Sequence, residues 1–144
     1  MKKKYNLSQK ENIFLAKKSL INAIYNSARL EGINKTIPQT KTILEGMSVS
    51  NVNIDDVQTI LNLRNAWRYL LNHLESDFDL DFVKKINGYV AYENLDWGVL
   101  RYGNVGITGV EYKLRIPTES EVVKEINDIM QIENETERAI TYML

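Results

Sequence analysis

Two stretches of this chain carry the same start signal for an α-helix. Ser8 is followed by Glu11, and Thr118 by Glu121, each pair standing before apolar residues that recur at steps of three and four. In such a capping box the hydroxyl accepts from the third backbone N–H of the helix while the carboxylate reaches back to the cap's own N–H, so two orphan donors are satisfied together. The spacing that follows is the period of a helical face. A first helix is therefore predicted from about Ser8 to Glu31, with Ile13, Ala16, Leu20 and Ile24 on its inner side and Gly32 supplying the left-handed stop. Pro38, whose missing N–H does no harm in a first turn, opens a short helix ending near Gly46. Asn53 can cap a third, with Val57, Ile60, Leu61, Trp67, Leu70, Leu71 and Leu74 inside, and Asp79 starts a fourth carrying Leu80, Val83, Ile86 and Val90. Thr118 opens a fifth through Val122, Ile126, Ile129 and Met130, and Asn134 caps a sixth whose inner side is Ala139, Ile140 and Met143.

Between the fourth and fifth helices the texture changes. From Asn94 to Pro117 glycines are dense and helical periodicity is lost. Val105 and Ile107 alternate before Thr108-Gly109, and Tyr112, Leu114 and Ile116 alternate after it, which reads as a β-hairpin with a glycine-containing turn. No repeat, low-complexity tract or linker divides the chain. The expectation is one mostly helical domain over 1–144: a long helix at 8–32, a helical scaffold at 38–93, a loop and hairpin at 94–117, and C-terminal helices at 118–144. The last helix runs into Leu144 without a glycine, a basic last turn or a proline, so it is expected to be cut short of a larger fold.

Composition narrows the chemistry. The 144 residues include 18 Lys and Arg against 19 Asp and Glu, one His and no Cys. Without cysteine there is no disulfide framework and no thiol nucleophile. One His excludes a His-rich metal site. A net charge of -1 supplies no overall basic field for a phosphate backbone, so nucleic acid is not expected as the main partner. No apolar run approaches a membrane span, and Lys2, Lys3 and Lys4 lack the apolar stretch of a signal peptide behind them, so no membrane partner is expected and a cytoplasmic location is.

Familiar catalytic patterns are missing: the chain has no G-x-x-x-x-G-K-[ST] loop, no G-x-S-x-G elbow and no H-E-x-x-H pair. Gly103-Asn104-Val105-Gly106 leads into strand-like residues instead of a helix N-terminus, so these read as turn glycines. Asp77, Asp79 and Asp81 resemble the start of a calcium loop, but Phe82 stands where its glycine belongs and the closing Glu is absent. His73, near the end of the third helix, has no evident nucleophile to serve and reads as a helix-end or surface residue. Trp67 and Trp97 read as core or loop-anchoring side chains.

One feature is odder. The inner stripe of the first helix continues beyond Ile24 to Ser27 and Glu31, a hydroxyl and a carboxylate on a face that should be apolar. Glu31 is also in the last turn, where the helix dipole disfavours an anion by about 0.3–1 kcal/mol. Either a cation pairs with it on that inward face, or the helix end frays and leaves it solvated.

The residues here resemble a known family. Ser27-Ala28-Arg29-Leu30-Glu31-Gly32 matches the [ST]-x-x-x-E-[GN] inhibitory-helix motif of Fic proteins, and the likeness runs on through Ile33-Asn34-Lys35-Thr36. Thr42-Ile43-Leu44-Glu45-Gly46 is similar to the stretch that follows, and Asn65 and Ala66 fit an Asn–Ala region. Gly98-Val99-Leu100-Arg101 looks like the G-x-[LIY]-R turn, and Val105-Gly106-Ile107-Thr108-Gly109 with the strand after it looks like the hairpin called the flap. The ordered series covers nearly the whole chain. What it lacks is H-x-F-x-[DE]-G-N-[GK]-R, whose histidine is the family's base, whose acidic residue holds Mg²⁺ and whose glycine, asparagine and arginine hold ATP phosphates.

The resemblance implies the N-terminal regulatory and scaffold part of an enzyme that moves AMP from ATP to a protein hydroxyl, without its active centre and inactive as it stands. Ser27, Glu31 and Gly32 are then the inhibitory residues: Glu31 pairs with an arginine of the catalytic loop and occupies the space of the ATP γ-phosphate. Val105, Gly106, Ile107, Thr108 and Gly109, with Glu111, Tyr112, Lys113 and Leu114, are target-docking residues of the flap, holding a protein segment partly by main-chain pairing. No catalytic or metal-binding residue is assigned in this chain, and ATP and Mg²⁺ belong to the complete family member. The alternative is a stand-alone interaction protein of the same ancestry, antitoxin-like in role. Expected partners are a protein target or the missing catalytic segment. If inner faces of the first and last helices are bare, a homo-oligomer is expected as well.

Overall fold

A computed structural model of the chain describes residues 5–92, 97–103, 108–109, 111 and 115–143. The described residues form six helices: α1 (Gln9–Leu30), α2 (Ile37–Leu44), α3 (Ile54–Asn72), α4 (Leu80–Val90), α5 (Glu119–Met130) and α6 (Glu135–Met143).

Local chemistry sets where these begin. At α1 the Glu11 N–H donates to Ser8 Oγ at 3.3 Å and the Ser8 N–H to Glu11 Oε2 at 2.8 Å, which also lowers the Glu11 pKa, first through the Ser8 hydroxyl. Thr118 and Glu121 repeat the box at α5, and Arg115 Nη1 reaches both carboxylate oxygens at 2.8 and 3.0 Å. A third box starts α2, where Thr36 exchanges bonds with Gln39; Pro38 follows within its first turn. Asn53, Asp79 and Asn134 each accept from backbone N–H groups at the starts of α3, α4 and α6.

The core lies where α1, α2 and α3 meet. Ile24 and Ile60 are fully buried, with Ala28, Ile33, Ile43 and Leu63 completing the cluster. Among the described residues two polar side chains are buried, and both are satisfied. Thr40 donates to the Thr36 carbonyl at 3.0 Å, and Asn62 donates to the Tyr92 carbonyl while accepting from Gln58. From this core the remaining helices are added in sequence: α4 on α3, α5 on α4, and α6 on α5.

Three expectations are corrected. Ala139, Ile140 and Met143 are exposed, Met143 by 84%, because among the described residues α5 is the one helix that α6 contacts, and its further contact, the Tyr142 ring against Phe78, is made by another side chain. Leu74 lies past the end of α3 and is exposed: the helix stops when His73 leaves helical geometry (φ -126°, ψ 31°) and its ring stacks on Tyr69. Phe82, absent from the expected stripe of α4, is buried against the Tyr69 and Phe78 rings. Of the expected hairpin, Val105, Gly106, Ile107, Tyr112, Lys113 and Leu114 lie outside the described residues. Thr108 and Gly109 are in a turn, Gly109 with φ +83°, and Glu111 is exposed. No strand occurs among the described residues.

The segment after α4 is tied back by its own glycine. Gly98 has φ +66°, its N–H donates to Asn87 Oδ1 at 2.8 Å, and it lies against Gly88 so closely that a Cβ would meet the Lys84 carbonyl at 3.1 Å. Further on, Arg101 donates to the Arg115 carbonyl at 3.0 Å, linking this turn to the approach of α5.

Candidate functional site

The end of α1 is built with unusual definition. Glu31 is its C-cap (φ -79°, ψ 8°) and Gly32 follows at φ +83°. The Gly32 N–H donates to the Arg29 carbonyl at 3.1 Å and the Ile33 N–H to the Ala28 carbonyl at 3.0 Å, the paired bonds of a Schellman turn. Ile33 then folds into the core beside Ala28. The left-handed residue must be glycine because a Cβ there is sterically penalised. Gly32 therefore acts as the terminator that fixes the backbone carrying Glu31. The same construction ends α2, with Glu45, Gly46 and Met47 in the corresponding places.

Ser27 and Glu31, one turn apart, face two neighbouring clefts. Ser27 lines an apolar cleft of about 480 Å³ between α1, α3 and α4, walled by Leu63, Ala66, Trp67, Leu70, Phe82, Val83, Ile86 and Val90, with Phe78 and Tyr142 at one end. Asn87 is its other polar wall. Glu31 lines a polar depression of about 610 Å³ with Asp55, Asp56, Gln58, Thr59 and Tyr92. Leu63 and Val90 belong to both and form the partition.

Neither alternative for Glu31 holds as expected: the helix end is closed by its Schellman bonds, with no fraying, yet no cation pairs with the carboxylate among the described residues. Its side chain is exposed, and among the described residues no cation or donor meets its carboxylate. Arg29, the basic residue of the last turn, turns back to Tyr25 instead, Nη1 to hydroxyl at 3.3 Å. Lys35, the cation of the same loop, is taken by Asp56 at 3.0 Å. An anion thus stands at the negative end of α1, a position that the helix dipole disfavours, in a depression also lined by Asp55 and by the Lys35-paired Asp56.

The other sequence candidates fall into structural roles. His73 caps α3, with Nδ1 2.8 Å from the Tyr69 carbonyl. Asp79 caps α4, Trp67 walls the apolar cleft, and Trp97 contacts the Tyr92 ring at 5.1 Å between centroids. Among the described residues no group of three or more His, Cys, Asp or Glu side chains is arranged to hold a metal ion, and no helix is long and apolar enough to cross a membrane. Sequence reasoning found the polar pair but missed the cleft; its signal was the cluster Trp67, Leu70, Phe78, Phe82, more apolar bulk than one helix pair can cover. Asn65 and Ala66 are on α3, and only Ala66 lines the cleft. No family model matches the chain, and no curated protein or solved structure matches it either.

Proposed function

We propose that this chain is the regulatory and scaffold part of a Fic-type protein AMP-transferase, and that α1 presents Ser27 and Glu31 to a catalytic segment seated in the apolar cleft. The observation that carries this reading is the Glu31 carboxylate itself, its backbone fixed by a Schellman turn, yet exposed and unpaired among the described residues beside an apolar cleft. A charge held in so defined a place against its local electrostatics calls for a partner supplied from elsewhere. An arginine of the incoming segment meets that need, since a bidentate guanidinium–carboxylate contact is among the stronger polar contacts available to a protein.

The role then follows from charge and volume. While the arginine is held by Glu31 it is withheld from phosphate, and the carboxylate fills and repels the space of the γ-phosphate. The Ser27 hydroxyl, one turn earlier, orients the pair from the cleft side. ATP and Mg²⁺ would be held by the catalytic segment, with none of the phosphate- or metal-binding motif supplied from this chain. Residues 105–109 and 111–114 would receive the target protein by main-chain pairing, as the family's flap does.

The test uses the protein joined to a segment carrying the H-x-F-x-[DE]-G-N-[GK]-R motif. Glu31→Gly is expected to raise labelled AMP incorporation sharply, Glu31→Gln partly, and Ser27→Ala less. Equal rates for wild type and Glu31→Gly, both folded, would refute the inhibitory role. The 144 residues alone are expected to give no heat of MgATP binding in the micromolar range by calorimetric titration.

A further inference from the structure

The charges of this chain balance in number but not in place. Residues 1–41 hold nine Lys and Arg against two Glu, while residues 118–144 hold seven Asp and Glu against two Lys and Arg. The fold turns this asymmetry into two surfaces. Helices α1 and α3 run antiparallel, joined at one end by the Gln9–Glu75 hydrogen bond and at the other by the Ile24–Ile60 core. Helix α2 covers the core end, and beyond it the lysines of α1 surround an exposed aromatic: Lys10, Lys17 and Lys18 are four before, three after and four after Phe14, which is 64% exposed. On α3, Arg64 and Arg68 are one turn apart on the side facing away from the apolar cleft. Burial, and then the neighbouring Arg68 charge, lower the Arg64 pKa, and its guanidinium donates to Asn65 Oδ1. Among the described residues no carboxylate pairs with Lys10, Lys17, Lys18, Arg64 or Arg68.

The acidic surface is the arm formed by α5 and α6. It touches the rest of the helices through α4, with Lys84 and Glu119 at 3.6 Å across that contact. Only Ile126 is buried within it, and Val123, Ile140 and Met143 are exposed; Glu119, Glu121 and Asp128 are paired with Lys84, Arg115 and Lys124, whereas the carboxylates of Glu133 and Glu137 meet no cation among the described residues. Neither α5 nor α6 makes a helix–helix contact with α1 or α3 among the described residues, and the arm approaches α1 at Glu135, which shares a depression with Gln9, Asn12, Ile13 and Ala16.

We infer that the acidic α5–α6 arm of one copy docks on the basic α1–α3 surface of a second copy. Each surface carries what the other lacks: unpaired cations around an exposed phenyl ring on one, and on the other the unpaired Glu133 and Glu137 with Ile140 and Met143 exposed on the same arm. A two-fold arrangement uses both surfaces of both copies and closes. The inference is independent of the role proposed for Glu31, which lies at the other end of α1.

Sedimentation velocity of the intact chain over a range of concentrations, at low and high salt, is the test. A dimer is expected that weakens as salt rises. Lys17→Glu with Lys18→Glu in one variant, and Glu133→Lys with Glu137→Lys in another, should each weaken self-association by about tenfold or more. Mixing the two variants should restore a dimer, because each then offers one intact and one inverted surface to its complement. Circular dichroism melting of each variant controls for folding. A wild type that stays monomeric at the highest concentration overturns the inference, as does failure of the folded variants to complement each other. A basic surface that binds a single-stranded oligonucleotide while the chain remains monomeric overturns it too, and assigns that surface to nucleic acid.

Discussion

Replacing Glu31 by Gln should make this chain more stable. The carboxylate is the C-cap of a 22-residue helix, exposed, without a cationic partner, and it shares its depression with Asp55 and Asp56. Removing one negative charge from the last turn of an exposed helix is worth about 0.3–1 kcal/mol at low ionic strength. The amide keeps nearly the same volume, and the Schellman bonds run through backbone atoms that the substitution leaves alone. For a chain of this length the gain corresponds to a rise in Tm of about 1–4 °C. Thermal and urea unfolding of both proteins at low and at high salt reads it, and because the term is electrostatic at an exposed site the difference should shrink as salt is added. A loss of stability in Glu31→Gln would mean that the carboxylate already has a favourable partner within this chain. A gain that ignores salt would mean that charge is not its source. Either result refutes the reasoning on which the role of Glu31 rests, since a residue that destabilises its own chain is one whose use is found elsewhere.

Ile60→Ala, at a fully buried position of the α1–α3 core, should cost about 2–5 kcal/mol in urea unfolding; a cost below 1 kcal/mol would show the core to be loosely filled. Gly98→Ala meets both a positive φ and a carbonyl 3.1 Å from the new Cβ, and should cost more than about 1 kcal/mol. A neutral result would place Gly98 in an ordinary backbone region. Glu121 has its carboxyl pushed down to about 2, first by the Thr118 N–H, then by the Thr118 hydroxyl and Arg115. Because the folded value lies below the ordinary one of 4.5, its contribution is present above that pH and lost as pH falls from there toward 2. Carbon-detected NMR titration of its side chain should show the depressed midpoint. Glu121→Gln should flatten that part of the acid unfolding curve while keeping the cap, as Gln39 does at α2.

How much of this was legible in the sequence depends on how local the cause is. The starts of α1 and α5 were readable because Ser8 with Glu11 and Thr118 with Glu121 settle them within four residues. The box of Thr36 with Gln39 uses the amide in place of the acid and was overshadowed by Pro38. Stripes were readable where two neighbours confirm a helix face, as for Ile24 and Ile60, and misread in α6, where apolar spacing exists without a second element to bury it. Leu74 fits the α3 period, but stacking of His73 on Tyr69 ends the helix before it, a competition that periodicity does not register. The Ser27–Glu31 pair was visible as a break in the stripe. The cleft between α3 and α4 was not, because it depends on which faces of two helices remain uncovered.

The order in which these helices contact one another carries a kinetic consequence. Apart from α1 with α3, each substantial helix contact joins neighbours in the chain. Low contact order of this kind favours rapid folding. It also means that α5 and α6 can detach without disturbing the core, since the cluster of Ile24, Ile43 and Ile60 comes from α1, α2 and α3, with Val90 of α4 packed against it. In native-state hydrogen exchange, the amides of α5 and α6 should therefore form an opening unit well below the global unfolding free energy, whereas those of α1 and α3 exchange only with the whole molecule.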